Sequence, residues 1–187
     1  MPRKRKSPSR HVLPRFVIVT EGRETEYRYF SGLREEMLER GALCDVLVSH
    51  AKDKDPLKTV RKARSSLIDG RDMAWAVFDA DNPDGSRTEI LKRAFGEAVR
   101  GSQEIGCIVS NPCFEFWILL HRRQTARPYL AFSEIEGDLV RALPEFQDDR
   151  GHFRKNAPGL YALLRPDRGR ACSRAAALRK NQPEPLE

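Results

Sequence analysis

The sequence predicts an α/β fold in which a mostly parallel, four-stranded sheet is flanked by helices. Four short runs rich in apolar and β-branched residues alternate with longer segments that carry apolar residues at helical spacing. Gly, Pro and Asp residues separate these runs, as is typical of element boundaries. Connections of this length favour right-handed crossovers and a sheet covered on both faces. A chain of 187 residues is long enough for one domain with a substantial core.

The first half of the chain predicts two strands joined by one helix. The run RFVIVT, residues 15–20, lies between Pro14 and Gly22 and predicts the first strand. The segment TEYRYFSGLREEMLERG follows it, with aromatic and aliphatic residues at helical spacing as far as Gly41. The next apolar run, LCDVLVSHA, predicts the second strand.

The same alternation continues through the next two strands. The segment DPLKTVRKARSSLIDG predicts a helix with Asp55 as its N-cap, Pro56 at its first position and Gly70 beyond its end. MAWAVFD then predicts the third strand, TEILKRAFGEAVRG the third helix and EIGCIVS the fourth strand. Together these elements predict an α/β core over residues 15–124, which a helical C-terminal region, residues 125–187, extends.

The segment SNPCFEFWILLHRR predicts a buried helix that carries two polar side chains. Asn111 or Ser110 can cap this helix, and the residues after Pro112 are apolar around almost its whole circumference. A buried Glu115 requires a cation, a metal ion or an arginine beside it, because an unpaired buried carboxylate costs several kcal/mol. His121, at the far end of the helix, fits either a structural role against helix carbonyls or a role as proton shuttle or substrate contact.

Three carboxylates follow the ends of predicted strands. Glu21 follows the first strand, and Asp79 and Asp81 follow the third within WAVFDADNPDG. If that strand continued, the two aspartates would stand roughly 7 Å apart on one face. The three acids converge if the first and third strands are neighbours, and such oxygen ligands suit Mg²⁺ or Mn²⁺. A solvated turn for the aspartates and a helix-end role for Glu21 are the alternatives.

Basic residues are concentrated at the two ends of the chain. The net charge is +7, yet residues 16–164 hold 22 basic and 24 acidic residues. Residues 1–14 therefore predict a disordered basic arm, which would attract a nucleic-acid backbone or serve only as a solvated tail. Without an apolar run of ~18 residues or a secretory signal, we expect a cytoplasmic protein with no membrane contact. The four scattered cysteines predict buried free thiols.

Five separated motifs resemble those of the RloB-like family, which is associated with bacterial restriction and anti-phage loci. In the family's order they are VTEGRETEYRYFSGL, DP after the second strand, AWAVFDADN, SNPCFEFWILLH and HFRKNAPGLYALL. The resemblance covers about residues 16–164, and RKNQPEPLE does not match the family's C-terminal segment. The family is similar to Toprim domains, in which a glutamate after the first strand and a D-x-D motif after a later strand bind Mg²⁺ for phosphodiester chemistry.

The resemblance implies a Toprim-like sheet with two sets of site residues. The metal ligands for Mg²⁺ or Mn²⁺ are Glu21, Asp79 and Asp81. The further catalytic candidates are Glu115, His121 and Lys155. We also expect phosphates to be positioned by Arg23, Lys52, Lys54 and Asn111, although solubility alone also explains the exposed basic residues.

These residues favour a metal-dependent nuclease that acts on RNA or DNA in bacterial anti-phage defence, with a second defence protein such as an ATPase as a potential partner. A divalent ion would stabilise charge on the scissile phosphate, while an acid or His121 transfers the proton. One alternative is a non-enzymatic sensor or adaptor that binds nucleic acid or protein. Another is a D-x-D phosphotransferase with Asp79 as nucleophile. A calcium loop is disfavoured, because Pro83 stands where an oxygen ligand is expected.

Overall fold

The computed structural model describes residues 13–68, 70–82 and 84–180. Its strands are β1 (Arg15–Thr20), β2 (Asp45–His50), β3 (Met73–Asp79) and β4 (Ile105–Ser110). They form one four-stranded parallel sheet in the order β2-β1-β3-β4. The predicted α/β fold is therefore confirmed, and β1 and β3 are neighbours, as a shared acidic site requires. The predicted basic arm lies outside the described residues except for its last two positions, and so does Pro83.

Helices cover both faces of the sheet and extend beyond it. They are α1 (Thr25–Glu39), α2 (Pro56–Ser65), α3 (Thr88–Ala98), α4 (Glu115–Arg122), α5 (Phe132–Ala142), α6 (Leu160–Leu164) and α7 (Arg168–Lys180). Short 3-10 turns span Pro144–Phe146 and Arg165–Asp167. The helical C-terminal extension is thus confirmed. None of the helices in the described ranges has the length and apolar character needed to cross a membrane.

The two faces of the sheet carry separate hydrophobic clusters. Val19 on β1 and Phe78 on β3 pack with α2 and α3. Val77 points to the opposite face, because successive side chains alternate along a strand. There it shares a cluster with Phe114 and with residues of α5 and α6, including Leu139. The C-terminal helices therefore complete the core on the face where α4 lies, and they carry their connecting loops toward the ends of the strands.

Two helix starts differ in how well the sequence predicted them. Asp55 caps α2 as predicted, accepting a hydrogen bond from the Lys58 N–H at 3.1 Å. The predicted start of α4 at Pro112 is wrong, because the helix begins three residues later, at Glu115. Asp79 Oδ1 accepts the Phe114 N–H at 2.9 Å, so a side chain from β3, and not a local cap, holds this helix start.

The four cysteines are free thiols, but they are not all buried. Cys113 is buried, Cys44 and Cys107 are half-buried, and Cys172 is exposed. The prediction of burial is therefore wrong for Cys172. It lies on α7, a helix whose one buried residue is Ala171, so most of that helix faces solvent.

Candidate functional site

The first acid of the site lies directly after β1. The Glu21 N–H donates to Val77 O at 2.8 Å, so pairing with β3 continues one residue beyond the strand. This bond holds the Glu21 side chain over the end of β3, where Oε2 accepts from the Asp79 N–H at 3.5 Å. The side chain is buried, and burial raises the pKa of Glu21, an effect that the nearby Arg87 opposes.

Asp79 lies half-buried at the end of β3, beside the first acid. Burial, followed by the charges of Glu26, Glu115 and Glu21, raises its pKa from an ordinary 3.8 to about 8. The hydrogen bond from the Phe114 N–H opposes this shift. The shift therefore reflects a carboxyl group that is withdrawn from water and placed beside three other acids.

A third acid comes from the first turn of α1. Glu26 is buried, and a Cβ atom at Gly22 would lie 3.4 Å from its Oε2 atom, so the carboxylate lies against the turn that follows β1. Burial raises the pKa of Glu26, and Glu115 raises it further. We define the acid cluster as Glu21, Glu26, Asp79 and Glu115.

Glu115, in the first turn of α4, is the best-neutralised member of the acid cluster. Its Oε1 atom accepts a hydrogen bond from Thr25 Oγ1 at 2.9 Å and lies 3.2 Å from Lys155 Nζ. Lys155 Nζ also lies 3.7 Å from the ring centroid of Phe132. Burial alone would lower the pKa of Lys155, but Glu115 raises it on balance. The expectation that Glu115 needs a cationic partner is confirmed, and Lys155 supplies the charge.

Asp81 differs from the members of the acid cluster in being exposed to solvent. The strand ends at Asp79 and Asp81 has a positive φ of 36°, so the chain turns and the predicted same-face arrangement is wrong. The Asp81 side chain is 59% exposed, and its Oδ2 atom lies 3.8 Å from Arg87 Nη1. Arg87 Nη2 binds Glu21 Oε1 at 2.9 Å. A guanidinium group therefore bridges the two acids that were expected to share a metal ion.

The donor set nevertheless fits a hard divalent cation. In this arrangement, the described residues contain no group of three His, Cys, Asp or Glu side chains placed to hold a metal ion. However, the acid cluster has four carboxylates, and among the described residues no ion pair joins Asp79 or Glu26 to a basic side chain. Carboxylate oxygens are the ligands that Mg²⁺ and Mn²⁺ prefer. The residue types present are therefore those that a divalent cation prefers, whereas their placement among the described residues, with Arg87 between Glu21 and Asp81, is not that of a formed metal site.

His121 makes contacts of a structural kind. Its ring is 1% exposed, with Nδ1 at 2.9 Å from Trp117 O and Nε2 at 3.2 Å from the Tyr29 hydroxyl. Because a carbonyl only accepts, Nδ1 carries the proton and Nε2 accepts from Tyr29. Burial lowers the pKa of His121, which favours this neutral form. These contacts fit the structural alternative, in which the imidazole binds a carbonyl of its own helix.

The predicted phosphate-binding residues lie on the surface. Arg23, Lys52, Lys54 and Asn111 are all exposed. Lys54 lies close enough to the acid cluster to oppose the rise in the pKa of Glu21. Its neighbour Lys58 is instead paired with Asp53 at 2.7 Å. A role for the exposed residues in binding phosphate stays a prediction.

Two site residues, Glu26 and Arg87, were not predicted from the sequence. Glu26 has the appearance of an ordinary first-turn glutamate, which the positive end of the helix dipole stabilises. Arg87 follows a turn and contacts an acid 66 positions earlier in the chain. No local sequence pattern predicts a contact between residues so far apart in the chain. The glycine at position 22, which leaves room for the Glu26 carboxylate, is the one local signal.

The fold and the site together define a class: an α/β protein that gathers buried carboxylates at the carboxyl ends of parallel strands. The chain belongs to the RloB-like family, whose model, described as RloB-like protein, matches residues 16–187. The match includes the C-terminal segment RKNQPEPLE, so the expectation that this segment departs from the family is wrong. The expected limit of the resemblance at about residue 164 is corrected to residue 187. Comparisons with curated proteins and with solved structures gave no significant match.

Proposed function

We propose that the protein is a metal-dependent nuclease that cleaves RNA or DNA and acts in bacterial anti-phage defence. The observation that carries this proposal is the acid cluster at the ends of β1 and β3, where burial and like charges raise the pKa of Asp79 to about 8. Uncompensated buried carboxylates are costly, and a protein retains them where they perform a function. A divalent cation is the partner that such a set of oxygen atoms lacks.

The ion would be held by Glu21 and Asp79, with Asp81 in reach of the same region through the turn after β3. When bound, it would supply charge stabilisation on the phosphate oxygens. Arg87 would then no longer be needed to neutralise Glu21, and its guanidinium group would be able to bind a phosphate oxygen instead. Glu26, whose pKa burial raises, can accept a proton from the attacking water. Lys155 holds Glu115 in place throughout.

The ion pair between Glu21 and Arg87 favours a second candidate, a non-enzymatic adaptor that binds nucleic acid or protein. In such a protein, Arg87 neutralises Glu21 permanently and no cation enters. A phosphotransferase with Asp79 as nucleophile is less well supported. One of the two oxygens of Asp79 already accepts the Phe114 N–H at 2.9 Å, and this contact would have to be kept or broken during attack on a phosphate.

The decisive experiment is a cleavage assay on tRNA, single-stranded RNA, plasmid DNA and linear DNA, each with Mg²⁺, Mn²⁺ or EDTA. We expect one substrate class to be cleaved in the presence of metal and none in EDTA. Asp79→Asn should abolish cleavage. Asp45→Asn is the matched control, since its carboxylate is 62% exposed at the opposite end of the sheet. Binding without cleavage, unchanged by EDTA, would support the adaptor instead.

A further inference from the structure

Three arginines converge on one buried aspartate, outside the acid cluster. Asp138, on α5, is 3% exposed, and its Oδ1 atom accepts hydrogen bonds from Arg123 at 2.5 Å and Arg141 at 2.6 Å. The third arginine, Arg127, has Nη1 at 3.9 Å from Asp138 Oδ2. We call Arg123, Arg127 and Arg141 the arginine cluster.

The centre of the arginine cluster is rigidly built. The Tyr129 hydroxyl donates to Asp138 Oδ2 at 2.6 Å, and the Arg127 guanidinium carbon lies 5.2 Å from the Tyr129 ring centroid. The Tyr129 ring packs in turn against Phe116 on α4, with centroids 5.7 Å apart. These contacts restrict the rotamers of the arginines before any ligand arrives. A ligand therefore binds with a smaller loss of side-chain entropy.

The charges of this site do not balance. Three guanidinium groups surround one carboxylate, and the hydroxyl of Tyr129 and Arg123 already satisfy both of its oxygen atoms. The side chains of Arg123, Arg127 and Arg141 are 53%, 60% and 69% exposed, so most of their N–H donors face solvent. Guanidinium groups arranged in this way match the oxygen atoms of phosphate. Three arginines and a tyrosine also surround Glu36 on α1, but two of those arginines are only 39% and 35% exposed, whereas all three side chains here are more than half exposed and accessible to a phosphate.

The arginine cluster is linked to the acid cluster through two helices. Phe132 begins α5 and packs under Lys155, the partner of Glu115. Asp138 lies six residues further along the same helix, which corresponds to roughly 9 Å at ~1.5 Å per residue. Successive phosphates of one strand rise by about 3.4 Å in a duplex. The rise from Phe132 to Asp138 therefore corresponds to about three such phosphate spacings.

We propose that the arginine cluster binds the phosphate backbone of a polynucleotide a few nucleotides away from the bond that the acid cluster receives. The choice of ligand rests on the proposed function. Contacts to the backbone position a strand without reading its sequence, so the arginine cluster contributes affinity and register. It contributes no base specificity.

The test is binding of a labelled single strand about 20 nucleotides long, followed by fluorescence anisotropy in EDTA over a range of salt concentrations. The double variant Arg127→Gln/Arg141→Gln leaves Arg123 and Tyr129 on Asp138, so the buried carboxylate keeps its partners. We expect affinity to fall roughly tenfold near 0.1 M salt and the slope of log affinity against log salt to flatten by about 1.4, or ~0.7 per lost contact. The variant Arg127→Lys/Arg141→Lys keeps both charges and should retain most of the slope.

The matched control is Arg93→Gln/Arg100→Gln, which also removes two exposed positive charges. Arg93 lies on α3, and Arg100 lies just after its end. If the two glutamine variants weakened binding equally, the effect would come from the overall positive charge and not from the arginine cluster, and the proposal would be overturned. An unchanged salt slope in the Arg127→Gln/Arg141→Gln variant would also overturn the proposal. In that case an acidic protein surface would fit the arginine cluster better than a polynucleotide does. Because EDTA prevents metal-dependent turnover, the outcome is separate from that of the cleavage assay. If the Arg127→Gln/Arg141→Gln variant binds the strand more weakly but the parent protein cleaves no substrate, the proposed nuclease activity is refuted. The proposed binding of a polynucleotide by the arginine cluster is then still supported.

Discussion

The molecule buries carboxylates in two kinds of surroundings, which shift the pKa of the carboxyl group in opposite directions. In the acid cluster, burial raises the pKa of Glu21, Glu26 and Asp79. Glu36 and Asp138 are each 3% exposed, yet hydrogen bonds from tyrosine and arginine side chains lower the pKa of both. Burial alone therefore does not decide how a carboxylate behaves. The number of donors and positive charges around it does.

The Glu36 site shows how a structural carboxylate is accommodated. Glu36 lies on α1 and receives hydrogen bonds from the Tyr161 hydroxyl and from Arg168, the latter at 2.7 Å. Arg40 and Arg165 lie 2.7 and 3.3 Å from its other oxygen. Positive charge here exceeds negative charge, whereas the acid cluster has the reverse balance. The comparison supports a stabilising role for Glu36 and leaves the acid cluster as the place for an added cation.

The largest expected effect in this comparison is a loss of stability on changing Glu36. Glu36→Gln should lower the free energy of unfolding by about 3 kcal/mol, because it removes the charge that three arginines and a tyrosine surround. Urea unfolding followed by circular dichroism measures the change. Glu39→Gln is the control, since the Glu39 side chain is 69% exposed and should contribute less than about 0.5 kcal/mol. Equal, small losses of unfolding free energy in both variants would show that the charge of Glu36 does not stabilise the fold.

Acid should weaken the same interaction. The folded-state pKa of Glu36 lies below its ordinary value of 4.5, so its contribution to stability is fully present above pH 4.5 and is lost as the pH falls through the folded-state pKa. The difference in unfolding free energy between the parent and Glu36→Gln should therefore shrink as the pH is lowered from about 6 to about 3. A difference that stays constant over this range would mean that Glu36 has the same pKa in the folded and the unfolded protein, which would contradict a lowered folded-state pKa.

Asp79→Asn should have the opposite sign to Glu36→Gln. Asn keeps an oxygen that accepts the Phe114 N–H and is neutral without binding a proton, so it removes the cost of placing a carboxyl group among the other acids, and in EDTA the variant should be as stable as the parent or about 1 kcal/mol more stable. Thermal melting with and without Mg²⁺ measures this. Mg²⁺ should raise the melting temperature of the parent and have little effect on the variant. A destabilised but fully active Asp79→Asn protein would refute the metal site.

The sequence predicted the parts of this comparison that depend on local patterns. The apolar runs, the N-cap Asp55 and the positions of Glu21 and Asp79 at the carboxyl ends of strands follow from periodicity and strand direction. That β1 and β3 are neighbours was only a condition of the predicted site, which the sheet order fulfils. The start of α4 was misjudged, because a side chain from β3 replaces the local cap that Pro112 suggested. The contact of Arg87 with Glu21 was missed for the same reason. Both depend on packing between residues far apart in the chain, which no local motif encodes.

The smallest expected effect concerns Arg87, and it decides between an enzyme and an adaptor. Arg87 binds Glu21 at 2.9 Å and approaches Asp81, so it competes with a cation for the same oxygen atoms. Arg87→Gln should therefore strengthen Mn²⁺ binding severalfold in the absence of nucleic acid, which corresponds to about 1 kcal/mol. Calorimetric titration measures this affinity, and Arg93→Gln, which removes an exposed charge from α3, is the control. If the arginine serves as a permanent structural partner, its loss instead leaves Glu21 buried without a counter-charge. In that case Mn²⁺ binding stays undetectable while the protein loses stability.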